Sequence, residues 1–131
     1  MTGSTREKKV IILTKAREGK VHDKRQLDEE ELVGQIPDEV RIEGDLGFQG
    51  LQNEFVNVKV PHKKPRGEPL SQKQKVENRE FSGQRVKCEH AHGGIKRYGA
   101  VRDVYRNRVV DFDDRLMLNA TGLWNFYLDA A

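Results

Sequence analysis

The last of the four prolines, Pro69, closes a cluster of breakers (Pro61, Pro65, Gly67, Pro69) that neither a helix nor a central strand could run through. The rest of the chain is proline-free, so a long helix can begin near Ser71. Along it Phe81, Cys88, Ala91, Ile95 and Tyr98 recur at offsets of 7, 3, 4 and 3, which predicts one buried helical stripe. Arg85, Glu89 and Lys96, at offsets of 4 and 7, share a different stripe about 100° round the same helix. The Gly93-Gly94 pair should cost the helix about 1 kcal/mol per glycine and leaves room for another backbone to approach.

Ahead of the prolines the elements are short. KKVIIL (residues 8–13) predicts a buried strand. Asp23, followed by Gln26, has the spacing of a capping box and marks a helix start; the same carboxylate could instead serve a metal site. Pro37-Asp38 signals a turn. Val40 and Ile42 alternate with polar neighbours in EVRIEGD, a strand with Asp45 at its end, and Val56, Val58 and Val60 alternate in a third strand. The final helix is expected from about Asp111, with Phe112, Leu116, Ala120, Leu123 and Tyr127 as its apolar stripe and Asp113 and Asp114 in its first turn. The order β–α–β–β–α–α predicts an α/β pattern, and 131 residues predict one domain over 1–131.

No apolar run reaches the roughly 18 residues of a membrane span, and the first ten residues are too polar for a signal peptide. The single cysteine, Cys88, excludes an internal disulfide framework and fits a reducing compartment. The net charge of +3 conceals a basic block: residues 59–108 hold 14 Lys and Arg against 5 Asp and Glu. Lys63, Lys64, Arg66, Lys73 and Lys75 crowd its start, a pattern that attracts nucleic acid through counterion release and that also occurs on plain solvated surfaces.

Two carboxylates carry the chemical reading. Asp45 stands at a strand end before glycines that free the backbone, a way to aim a carboxylate into a cleft and equally a common turn residue. Glu89 lies 44 positions on, in a helix where most glutamates are merely solvated. Brought together, the two would offer hard oxygen ligands to Mg²⁺ or Mn²⁺ and so support phosphoryl transfer. Lys96 lies two turns beyond Glu89, about 10 Å along the axis, which suits a contact to a flanking nucleic-acid backbone. Cys88 and His92, one turn apart, could share a zinc ion, but His90 points elsewhere and no second cysteine exists. Neither a phosphate-binding GxxxxGK loop nor a Ser/His/Asp motif is present.

The stretch RVKCEHAHGGIKRY resembles the Glu-bearing helix of DDE transposases of bacterial insertion sequences, whose signature there is Tyr-x2-Arg-x3-Glu-x6-Lys. Arg85, Glu89 and Lys96 match; Ser82 stands at the tyrosine position. EGKVHDKRQLDEE, GDLGFQGL, PHKKPRGEPLSQKQKVENRE, YRNR and GLWNF resemble further segments of the family in order. The resemblance implies a partial ribonuclease H-like fold: a short central sheet, a long Glu-bearing helix and a C-terminal helix, with the first strand or strands missing. It implies Asp45 and Glu89 as catalytic metal ligands for Mg²⁺ or Mn²⁺, and Lys96, Arg85, Lys63, Lys64 and Arg66 as DNA contacts. The family's first aspartate has no counterpart among the seven residues before Lys8, so the expectation is a C-terminal portion of the catalytic domain, inactive alone. DNA, a full-length transposase or a second copy are the implied partners, in the bacterial cytoplasm at the nucleoid. The alternative is a non-catalytic nucleic-acid-binding remnant that regulates a full-length enzyme.

Overall fold

In the computed structural model, which describes residues 1–17 and 23–131, the chain is mixed α/β and divides into two compact units. One comprises Met1–Ala16 and Ser82–Ala131, the other Arg17–Phe81. The strands form two separate two-stranded sheets, one within each unit.

In the first unit β1 (Thr2–Ser4) pairs antiparallel with β2 (Val10–Leu13), with a register irregularity between Gly3 and Ser4. β2 is the expected strand, begun two residues late, but it is not a buried one: only Val10 is buried and Ile11 is 69% exposed, as one face of a two-stranded sheet remains in solvent. Lys8 adopts a left-handed φ of 69° to turn the chain, and its amide closes on the Thr5 carbonyl at 3.0 Å. β1 was not expected: Thr-Gly-Ser carries no apolar alternation and is a strand only because β2 pairs with it.

The proline-free stretch forms α3 (Gln72–Ile95), a short α4 (Gly99–Arg102) and α5 (Phe112–Ala130). The α3 stripe falls where expected: Ala91 and Ile95 are buried, and Phe81, Cys88 and Tyr98 are half-buried. Ala91 and Ile95 join Val10, Ala120 and Trp124 in the core, with Tyr98, Val101, Met117 and Leu128 packed round it.

The α5 expectation needs correction. Ala120 is buried, but Leu123 and Tyr127 are 52% and 48% exposed, and the buried face is Ala120, Thr121 and Trp124 flanked by Met117 and Leu128. Two tertiary features turn the helix. The Trp124 indole lies on Gly94 so closely that a Cβ there would stand 2.3 Å from its Cε3. What the Gly93-Gly94 pair admits is therefore a ring rather than a backbone. Asn125 meanwhile accepts from Val10 N at 2.9 Å and donates to Val10 O at 2.8 Å, so its amide docks as a strand neighbour would. Trp124 Nε1 donates to the Lys8 carbonyl at 2.9 Å.

In the second unit α1 is described over Asp23–Glu29; residues 18–22, His22 among them, and the Asp23 side chain lie outside what is described, and the capping role expected of Asp23 falls there too. The Pro37 turn forms, closed by Val40 N on Pro37 O at 2.9 Å. β3 (Ile42–Glu43) and β4 (Val58–Lys59) pair in parallel, Ile42 opposite Val58. A 3-10 turn (Leu46–Phe48) and α2 (Leu51–Glu54) connect them. Both strands are shorter than expected, and the three-valine alternation fails: Val58 is buried, Val56 is 86% exposed. Asn57, buried between them, donates to Pro37 O and Val40 O at 3.3 and 3.1 Å and fixes this register. Leu27, Val33, Leu51 and Val58 are the buried apolar residues among those described in the unit.

Candidate metal and nucleic-acid site

Asp45 lies just past the carboxyl end of β3. Open α/β sheets place functional side chains outside the carboxyl ends of parallel strands. Gly44 N still bonds Lys59 O at 3.0 Å, so the carboxylate emerges where the pairing stops. It also caps the Leu46–Phe48 turn, Oδ1 accepting from Gly47 N at 2.7 Å. The turn reading of the sequence holds: Oδ1 anchors the turn, while Oδ2 accepts no hydrogen bond among the described residues.

Glu89 answers to local helix geometry. Arg85 and Glu89 are exposed on one side of α3, away from the Ala91 and Ile95 face, and Lys96, exposed in the turn just past the helix with its N–H still bonded to His92 O at 3.0 Å, continues that side. Arg85 Nη2 stands 3.9 Å from Glu89 Oε1, both side chains well solvated, a pair contributing at most about 1 kcal/mol. Little therefore opposes handing the Glu89 carboxylate to another cation. Each carboxylate, taken by itself, is a hard oxygen donor with one oxygen that has no strong competing partner among the described residues. Asp45 belongs to the second unit and Glu89 to the first. Among the described residues no three His, Cys, Asp or Glu side chains gather as a metal-binding group.

Cys88 and His92 do meet, on the half-buried side of α3. His92 Nε2 lies 3.9 Å from Cys88 Sγ and 2.5 Å from Thr2 Oγ1, a partner supplied by the unforeseen strand β1. The hydrogen bond from His92 lowers the Cys88 thiol below its ordinary value, against a raising effect of burial, and the same contact raises His92. A raised imidazole contributes stability that is complete below its ordinary 6.5 and fades as pH rises through its folded value. A lowered thiol contributes above its ordinary 9.0 and fades as pH falls through its folded value. His92 is expected to titrate above 6.5 in NMR, and Cys88→Ala to bring it back down; a His92 titration indifferent to that substitution would contradict the pairing.

The basic residues are displayed rather than stored. Lys63, Lys64 and Arg66 are exposed on the proline-rich loop, and Lys73 and Lys75 on the first turns of α3. A true capping box opens that helix: Ser71 N donates to Gln74 Oε1 at 2.9 Å and Gln74 N to Ser71 Oγ at 3.2 Å. Ser-x-x-Gln was present in the sequence and would have fixed the helix start to the residue. No helix among the described residues is long and apolar enough to cross a membrane.

A family described as DDE superfamily endonuclease matches residues 1–125. The chain belongs to the DDE superfamily endonucleases. A curated relative, the probable transposase for insertion sequence element IS702 of Microchaete diplosiphon, is 34% identical over 89 residues, covering 68% of this chain and 32% of the relative. The DDE chain thus spans about a third of the length of that relative. No solved structure matches it.

Proposed function

We propose that these residues are the part of a DDE transposase catalytic domain that carries the second aspartate and the glutamate, on a partial ribonuclease H-like fold. The observation that carries this is the Arg85–Glu89–Lys96 stripe, solvent-facing on one side of a helix whose opposite side is core, in a chain matched by the DDE family over residues 1–125. Asp45 and Glu89 would hold a divalent cation, Mg²⁺ or Mn²⁺. Such an ion, when bound, supplies activation of a water or 3′-hydroxyl and charge stabilisation at the phosphate. The chain's own residues position: Arg85 orients Glu89 and offers its guanidinium to DNA, Lys96 binds the backbone about 10 Å along the helix, and Lys63, Lys64 and Arg66 bind phosphates. The reaction class is DNA strand cleavage and transfer at transposon ends.

With two of the family's three carboxylates, the 131-residue polypeptide should not cleave DNA by itself. The expected result is no nicking of a transposon-end duplex in Mg²⁺; nicking that disappears in Glu89→Ala would overturn it. Mn²⁺ titration tests the metal site directly, by paramagnetic broadening centred on Asp45 and Glu89. Salt-dependent DNA binding without such broadening would favour the second reading, a non-catalytic nucleic-acid-binding protein that pairs with a full-length transposase or a second copy. The basic display on residues 63–75 supports that reading too.

A further inference from the structure

Residues 61–70 leave β4 and return to α3 as a loop tied at both ends within the second unit. At its far end stands the Ser71–Gln74 capping box. At its near end Gln49 Nε2 donates to Pro61 O at 2.8 Å. The next residue is gripped three ways. His62 N donates to Asn78 Oδ1 at 2.8 Å, Asn78 Nδ2 donates to His62 O at 3.0 Å, and the His62 ring meets Glu77 Oε2 at 2.6 Å. Asn78 thus pairs with a loop backbone as a neighbouring strand would, one residue before Lys63. Pro65, Pro69 and Gly67, the last at a φ of 87°, define the remaining path. An excursion closed in this way is a compact surface loop, its conformation set before anything binds.

We infer that Asn78 is a positioning residue for phosphate binding: its two bonds to the His62 backbone, with the Glu77 contact to the ring, hold the loop so that Lys63, Lys64 and Arg66 stand in a fixed array. The inference rests on the proposed DNA-contacting role of those three side chains. Its physical reason is entropy. A free loop of about ten residues would have to be ordered on each encounter with a polyanion, and a loop already ordered by α3 does not. The partner is the sugar–phosphate backbone of DNA, recognised without regard to sequence, because the displayed groups are chiefly lysine ammoniums, point charges rather than base-reading forks.

The test is binding of the 131-residue protein to a labelled duplex of arbitrary sequence, followed by anisotropy across a salt series. Replacing Lys63, Lys64 and Arg66 together with alanine should flatten the salt slope by about 0.9 for each phosphate that is no longer neutralised. Asn78→Ala is expected to weaken binding about 3- to 10-fold at low salt and to flatten the slope by about 0.9, the equivalent of a single phosphate, with helix content unchanged. Added to the triple variant, it should have no further effect. A flattened slope in the triple variant with a wild-type slope in Asn78→Ala overturns the inference and leaves the loop's DNA role standing. An unchanged slope in the triple variant overturns both. Should Asn78→Ala fail to fold, Glu77→Ala decides by sign. Losing a negative charge beside the loop would by itself tighten polyanion binding, so weaker binding supports positioning and tighter binding refutes it.

Discussion

Trp124→Ala is expected to destabilise the protein by about 3–5 kcal/mol, the usual cost of truncating a large buried aromatic. Trp124 is 5% exposed and is the largest side chain in its unit's core. It touches α3 through Gly94, anchors the β1–β2 turn through its bond to the Lys8 carbonyl, and stacks on Tyr127 at 5.7 Å between centroids. Arg97 lies over both rings, at 5.5 and 5.4 Å. Truncation leaves a cavity and strips the Lys8 carbonyl of its donor at once. Urea unfolding monitored by circular dichroism measures the loss; a change below about 1 kcal/mol would mean that the indole does not hold these elements together.

Gly94→Ala should cost about 2–3 kcal/mol, and for the opposite reason. The added methyl would lie 2.3–2.5 Å from three atoms of the indole, which is rigid and is held by its own hydrogen bond. Helix propensity alone would make the same change favourable by about 1 kcal/mol. The two effects can be separated in a double-mutant cycle. In the Trp124→Ala background the clash is gone, so Gly94→Ala should turn neutral or stabilising. Persistence of the full penalty there would show that Gly94 is needed for something other than the ring. Gly93, next to it, has open space where a Cβ would go and should accept alanine without loss.

The candidate site divides along the same line as the core. The stripe of Arg85, Glu89 and Lys96 follows from a fixed rotation and rise per residue, so their spacing alone put them on one side of α3, where they are exposed. The placement of Asp45 past β3 was equally readable, because an alternating apolar stretch that runs into glycines marks where a strand stops. Neither pattern contains the separation of the two carboxylates, which depends on how distant segments fold. The grip of Asn78 on His62 and of Thr2 on His92 was also out of reach, since residues 16 and 90 positions apart share no periodicity.

What the sequence determined by itself is local: where helices could run once the prolines ended, which face of α3 would be buried, and which charged groups would stand together on its other side. Tertiary structure decided which of two apolar faces α5 buries. Its sequence places Phe112, Leu116, Leu123 and Tyr127 along one face and Met117, Trp124 and Leu128 along another, and periodicity cannot rank them. The second face won because only there does a ring find a glycine to lie on, and only there does an asparagine meet the N–H and C=O of Val10 in β2. Burial of apolar area is non-directional, whereas steric fit and hydrogen bonding are not, and those two terms exist only once the partner segments are in place.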